Sequence, residues 1–458
     1  MPRYLTKSKF KLALECPTKL YYDGKPEYAN HKLDDPFLLA LAEGGFQVGE
    51  LAKCYFSEGI KVDLTDYEMA EPHTNDLLKQ EKVIIFEAVI RYGNMLLRPD
   101  ILIKDGNQIE LVEVKSKSFD SAKGPSFKNR YGWIATEWQP YLYDVSFQKH
   151  VLCSAFPEYN ISAFLMLADK SAECSTDGLN QKFRIAKDEK GHKRIVVSPK
   201  LTKADIATPI LARVNVDDIC ELIYRTNMIF KNKEVSFKEY VKLIADCYVK
   251  DEKIISPTSK ICDACEYKAT ENDMQAGLKS GYHECWKDMI QLAKSPGNDN
   301  SYWIDKENLK NEMSRWTYPL HFIDFETSMV AIPFNKGRHP YEGIAFQFSH
   351  HVVYEDGKIE HRGQYLNTRP GVFPNYEFVR KLKEELENDN GSIFRYAAHE
   401  NTYLNTIYRQ LIEDPETILD REELCRFIKS ITKSINGSKE NWEGSRCMID
   451  MLQLVRHC

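Results

Sequence analysis

No run of apolar residues in this 458-residue chain reaches the roughly 18 needed to cross a bilayer as a helix. The basic segment Met1 to Phe10 has no apolar core, so it does not read as a secretory signal. There is no internal repeat, and the two halves do not resemble one another. Neither sign of charge dominates: 62 basic and 68 acidic residues leave a net charge of −6. That balance argues neither for nor against nucleic-acid binding, because an acidic protein can concentrate positive charge in one channel. Hydrophobic residues at 43% and charged residues at 28% exclude wholesale disorder, collagen-like repeats and coiled-coil rods. Together these absences predict a cytoplasmic chain in a reducing environment, with no membrane partner.

The length suggests about three domains at ~150 residues each, and two to four would fit. The best linker signal is SPGNDNS at 295–301, where Pro, Gly, Asn and Ser cluster. The reading is therefore a first domain over 1–294, a linker over 295–317 and a second domain over 318–458. In the first, a helix capped by Thr6 or Ser8 runs to Cys16, and another lies near Phe46. KVIIFEAVIRY, MLLRPDILI and QIELVEVK read as strands separated by Gly93-Asn94 and Asp105-Gly106. Residues 137–153 read as a helix, 161–168 as a strand and 203–250 as helix-rich. The second domain opens on the strand YPLHFIDFET and continues as hairpin, helix, strand and helix. The whole is an α/β protein.

A tight hairpin centred on Asp105-Gly106 would pair residues whose numbers sum to 211. Asp100 then faces Leu111 and shares a face with Glu113 and Lys115, because side chains alternate along a strand. Ile101, Ile103, Val112 and Val114 take the opposite, buried face. Two carboxylates can hold Mg²⁺ or Mn²⁺, which activates water and offsets phosphate charge. The lysine can orient that water or stabilise the transition state. An ordinary Glu–Lys pair on a surface strand is the competing reading.

RPDILI followed by LVEVKS resembles the PD-(D/E)xK nuclease superfamily in its RecB-like branch. The resemblance implies a restriction-endonuclease fold, a mixed sheet flanked by helices. It also implies a glutamine on the helix after the acid–lysine strand, matched by Gln148 in DVSFQKHVL, with Gln139 in WQPYLY as a rival. The upstream histidine common in that branch is absent from GFQVGELA, where Glu50 stands as the candidate upstream carboxylate. Glu87 is a weaker candidate.

Twelve cysteines are many for a reducing compartment, where clustered cysteines point to metal or redox work. Cys54, Cys153, Cys220, Cys247 and Cys425 sit among apolar residues and read as small core side chains. Cys262 and Cys265 form a CxxC, and Cys285 follows. Zinc with His283 as fourth ligand is one reading. With Cys16-Pro17 far upstream, the set resembles the iron–sulfur nucleases of the AddB type and related CRISPR-associated exonucleases. That resemblance implies a structural [4Fe–4S] cluster on Cys16, Cys262, Cys265 and Cys285. The gap before Cys285 is longer than usual there.

FIDFET places Asp324 and Glu326 on one strand face, with Ile323 and Phe325 pointing into the core. The spacing resembles that of RNase H-like DEDD 3′→5′ exonucleases, which use two metal ions. Glu400 in AHENTYL and Asp450 in MIDMLQLV are the matching later carboxylates. The sequence stops at Cys458 before a closing His or Tyr and Asp motif, so the domain is expected to be incomplete at its C-terminus.

The expected function is a metal-dependent nuclease acting on DNA, single-stranded or with free ends, in repair or in anti-phage or CRISPR-type defence. Tyr131, Trp133 and Trp138 are available to stack bases, although aromatics are more often core. The alternatives are 3′→5′ exonuclease action by the second domain on DNA or RNA, and a non-catalytic nucleic-acid-binding assembly protein.

Overall fold

The computed structural model describes residues 3–25, 28, 30, 32, 35–63, 66–187, 193–255, 265–267 and 304–458. Cys262, His283, Cys285 and the SPGNDNS segment lie outside these. The chain divides into two compact units, Met1–Gly277 with Ala331–Tyr341, and Leu278–Val330 with Glu342–Cys458. Residues 331–341 thus cluster with the first unit. Ala331 and Ile332 are buried there beside Val48, Ile101 and Val112. No helix among the described residues is long and apolar enough to cross a membrane.

The first unit begins with α1 (Lys7–Glu15), α2 (Lys19–Tyr22), α3 (Pro36–Cys54), β1 (Ile60–Lys61) and α4 (Tyr67–Leu77). Thr6 caps α1 by accepting from the Lys9 amide, and Asp35 caps α3 with Pro36 at its first position. Four strands follow: β2 (Lys82–Phe86), β3 (Ile90–Tyr92), β4 (Met95–Leu97) and β5 (Ile101–Asp105). KVIIFEAVIRY is therefore two strands rather than one. Glu87 breaks it with φ 56°, a left-handed conformation that cannot continue a strand.

Next come β6 (Gln108–Phe119), α5 (Gln139–Ala155), β7 (Asn160–Asp169), β8 (Phe183–Lys187), β9 (Lys193–Val197) and β10 (Leu211–Asn215). The unit continues with α6 (Asp217–Tyr224), β11 (Asn227–Phe230), β12 (Lys233–Ser236) and α7 (Phe237–Val249). The span 203–250, read as helix-rich, thus also holds an edge strand and a hairpin. The main sheet runs β1-β2-β5-β6-β7-β10. β2, β5 and β6 are antiparallel, and β7 returns parallel to β6 after α5 crosses over.

The central hairpin turns at Gly106-Asn107. Gly106 takes φ 56°, leaving Asp105 in the strand opposite Gln108 and Lys82. Observed pairs sum to 213 rather than 211 (Ile101 with Val112, Leu102 with Leu111). A shift of two preserves every face assignment. It also moves Asp100 from opposite Leu111 to opposite Glu113, one step beyond the Ile101–Val112 pair.

Both faces of this sheet are covered, so the carboxylate face is not a surface. Ile101, Val112 and Val114 pack under α3, while Leu102 and Leu111 join a core with α1, α5 and α7. Phe10 of α1 stacks on Phe147 of α5 at 4.7 Å and meets Phe237 of α7 edge-on at 5.8 Å. Cutting Phe10 to Ala would cost about 3–5 kcal/mol and undock α1.

The second unit contains α8 (Lys306–Met313), β13 (Leu320–Ser328), β14 (Ile344–Val353) and β15 (Ile359–Leu366). After these come α9 (Asn375–Leu386), β16 (Ile393–Arg395), α10 (His399–Glu413), α11 (Arg421–Ile431), β17 (Ile449–Asp450) and α12 (Met451–His457). The residues read as linker thus include α8. The sheet order is β15-β14-β13-β16-β17. β14 and β15 form the antiparallel hairpin, and β16 and β17 are parallel to β13 and to each other. Ile323 and Phe325 are buried against Phe378 and Leu404, while Asp324 and Glu326 lie exposed on the other face.

Candidate active sites in the two units

At the end of the central hairpin of the first unit, Asp100, Glu113 and Lys115 come together. Glu113 is wholly buried, and Asp100 keeps 30% of its side chain exposed. The Val114 amide donates to Asp100 Oδ2 at 2.8 Å, which fixes that carboxylate across the strand pair. Lys115 Nζ donates to Glu113 Oε1 at 2.5 Å and to Asp144 Oδ2 at 2.8 Å. The register of β6 against β7 slips between Lys115 and Ser118, so a bulge begins directly after the lysine. Bulges are used to re-aim side chains at such places.

Lys7 and Asp144 belong to this cluster and were not singled out in the sequence. Lys7, the first residue of α1, donates to Glu113 Oε1 at 2.9 Å and Oε2 at 3.1 Å, and to Asp100 Oδ1 at 3.3 Å. Asp144, on the buried face of α5, takes Lys115 on one oxygen and Gln148 Nε2 on the other, the latter at 2.9 Å. Both had a signal. Lys7 lies three residues before the core Phe10, on the same helix face. Asp144 stands four before Gln148 within a buried stretch.

Burial, and then the negative charge of Glu113, push the Asp100 carboxyl up to about 6. Burial would also raise Glu113, but the ammonium groups of Lys115 and Lys7 outweigh it and hold that carboxylate well below the usual range. Burial works against the charge of Lys115, yet Glu113, Asp144 and Asp100 keep it firmly protonated. The site therefore concentrates negative charge that is answered by cations.

Gln148 is fully buried and serves Asp144, with its Oε1 left without a hydrogen-bond partner. Gln139 is exposed at the first position of α5. Glu50 bonds Lys53 at 2.8 Å, and Lys53 also holds Glu87 at 2.6 Å. Glu87 in turn donates its amide to the Asp100 carbonyl at 3.2 Å, so this second acidic pair adjoins the first through the backbone.

Of the four cysteines, Cys16 and Cys265 are described. Cys16 ends α1. Three residues later, buried Lys19 grips Glu266, the neighbour of Cys265, at 2.8 and 2.9 Å. Thr18 donates to the Ile254 carbonyl at 2.6 Å and Tyr267 to Asp23 at 3.3 Å. The segments carrying Cys16 and Cys265 are thus clasped together by side chains. Both residues are half-buried.

In the second unit, Glu400 opens α10 and is buried, with Oε2 lacking any hydrogen-bond partner. Burial, aided by the charges of Asp324 and Asp450, pushes it up to about 7. Asp450 caps α12 by accepting from the Leu452 amide at 3.0 Å, accepts from Ala397 at 3.1 Å and pairs with Arg395 at 3.1 Å. Thr327 Oγ1 and His399 Nε2 stand 3.1 Å apart and link the far end of β13 to α10. Glu326 shares the exposed face with Asp324. Among the described residues no group of three or more His, Cys, Asp or Glu is already arranged to hold a metal ion.

Residues 321–458 match a family described as a domain of unknown function, DUF2779. The match starts within β13 and covers 138 of the 458 residues. No curated protein matches the chain.

Proposed function

We propose that the chain is a metal-dependent nuclease that hydrolyses phosphodiester bonds of DNA, single-stranded or with free ends, at the Asp100–Glu113–Lys115 site. The observation that carries this reading is the opposed carboxylate pair with an ammonium already between them. A pair that draws Lys7 into that position suits a divalent cation in charge and donor type. Asp100 and Glu113 would hold Mg²⁺ or Mn²⁺, and the ion supplies Lewis-acid activation of water and charge neutralisation at phosphate. Lys115 keeps its proton and directs one N–H toward Glu113, so it can orient a nucleophilic water or answer charge on the phosphoryl oxygens. Asp144, braced by Gln148, holds Lys115 in that attitude. Three antiparallel strands, a crossover helix and a parallel fourth strand agree with a RecB-like core.

The clasp of Lys19 on Glu266 favours Cys16 and Cys265 sharing a metal, which we read as a structural [4Fe–4S] cluster completed by Cys262 and Cys285, with zinc the alternative. A second reading is favoured by Glu400, which is buried with Oε2 unpartnered and whose carboxyl is pushed up by burial and then by the charges of Asp324 and Asp450. The order β15-β14-β13-β16-β17, with its single antiparallel hairpin, suits an RNase H-like unit carrying DEDD-type 3′→5′ exonuclease chemistry.

The test is cleavage of 5′- and 3′-labelled single- and double-stranded DNA with Mn²⁺ by wild type, Lys115→Ala and Asp324→Ala. Loss with Lys115→Ala alone supports the first site. Loss with Asp324→Ala alone moves the chemistry to the second unit. Salt-sensitive binding without turnover in wild type would leave a nucleic-acid-binding protein.

A further inference from the structure

Between Lys115 and α5 the chain forms a small hairpin whose purpose the metal site does not explain. Its base is core: Phe127 is buried, meeting Trp138 at 5.0 Å and Phe119 at 6.5 Å. The Ala135 amide donates to the Phe127 carbonyl at 2.9 Å, and Lys128 pairs with Ile134. Its tip is held just as firmly. Asn129 Oδ1 accepts from the amides of Tyr131 at 2.9 Å and Trp133 at 3.2 Å, while the Asn129 amide donates to the Trp133 carbonyl at 2.8 Å. Gly132 sits between them with φ 80°, a conformation a side chain would strain.

This bracing presents two large rings to water: Tyr131 is 68% exposed and Trp133 is 70% exposed. A free loop would fold such rings back onto the surface. Here the turn holds them outward. Trp138, by contrast, is spent on the core together with Phe119 and Phe127.

The surrounding charge selects the partner. Arg130 stacks 4.7 Å from the Tyr131 ring, and Lys117, Lys123 and Lys128 complete a basic set along 117–139. The acids of that stretch are Asp120 and Glu137, and Asp120 is paired with Lys123 at 3.2 Å and Lys170 at 3.8 Å. Exposed π-faces interleaved with cations match an unpaired polynucleotide, whose bases stack and whose phosphates seek positive charge. A duplex keeps its base faces hidden and can use only the cations.

We propose that the 127–135 hairpin is a stacking platform for single-stranded nucleic acid. The idea builds on the proposed nuclease reading, since the platform grows from the strand that bears Lys115. The experiment is fluorescence anisotropy of labelled single-stranded DNA, single-stranded RNA and blunt duplex DNA, with the full chain in EDTA so that no cleavage occurs. Tyr131→Ala/Trp133→Ala should weaken single-strand binding about 10- to 100-fold while leaving duplex binding within about twofold. Comparing DNA with RNA identifies which strand the platform takes. Unchanged single-strand affinity, or an equal loss for duplex, overturns the proposal, and tight binding of neither nucleic acid by wild type does so too. Lys115→Ala, run beside it, separates the two ideas. With Mn²⁺ in place of EDTA it should fail to cut, and if it still cuts, the nuclease reading falls while the binding result for Tyr131→Ala/Trp133→Ala stands.

Discussion

Lys7 Nζ stands 2.9 Å from Glu113 Oε1 and 3.3 Å from Asp100 Oδ1, so a single ammonium spans the carboxylate pair. A divalent ion using both carboxylates must displace it. Lys7→Met should therefore tighten Mn²⁺ binding by on the order of tenfold. In EDTA the same variant should lose about 1–3 kcal/mol of stability, a figure reduced for the partial exposure of Lys7 and Asp100. Mn²⁺ titration followed by electron paramagnetic resonance, with urea denaturation alongside, reads both effects. Unchanged or weaker Mn²⁺ binding would sink the displacement argument.

Asp144 touches the site only through Lys115 and Gln148, which makes it a positioning residue. Asp144→Asn keeps the shape and removes the charge. Turnover should fall about 10- to 100-fold, with Mn²⁺ affinity changed little and KM for DNA steady. A fall in Mn²⁺ affinity matching the loss of turnover would instead make Asp144 a ligand.

Glu400 gives the second unit a pH signature. Its folded-state value is raised to about 7 from the ordinary 4.5, so the folded chain binds the proton more tightly than the unfolded chain. That contribution is fully present below pH 4.5 and is lost as pH rises through about 7. Glu400→Gln should then match wild type near pH 4.5 and exceed it at pH 8, by on the order of 1–2 kcal/mol. Urea unfolding at both pH values checks it, and equal differences at the two would refute the assignment.

Cys16→Ser and Cys265→Ser should each strip iron and inorganic sulfide from anaerobically prepared protein and expose the segment around Glu266 to protease. Analysis finding zinc at one ion per chain, removed by the same substitutions, would decide for the zinc alternative.

Much of this was legible because β-strand parity is robust. The hairpin turn sits at Gly106-Asn107 rather than Asp105-Gly106, yet the pairing sum moved by two, and Asp100, Glu113 and Lys115 kept their common face. Alternation likewise sorted Asp324 and Glu326 from Ile323 and Phe325. Lys7 and Asp144 were harder, because Lys7 meets the carboxylates, and Asp144 meets Lys115, only once distant elements pack together. Lys7 is 106 positions from Glu113. The left-handed Glu87 shows the same limit, since nothing in KVIIFEAVIRY announces a break. Cys262 and Cys285 fall outside the described residues, and their reading comes from the CxxC spacing and the resemblance carried with Cys16-Pro17.

The clasp between the first helices and residues 251–254 and 266–267 has a temporal meaning. Arg3 pairs with Asp251 across 248 positions, and Lys19 with Glu266 across 247. The ribosome emits the chain from its N-terminus, so α1 must wait for its partners Phe147 and Phe237 before it can dock. Until then Lys7 has no fixed place beside Glu113. A growing chain thus carries Asp100, Glu113 and Lys115 well before the frame that orders them, and this carboxylate–lysine cluster takes its final form only as synthesis passes the middle of the protein.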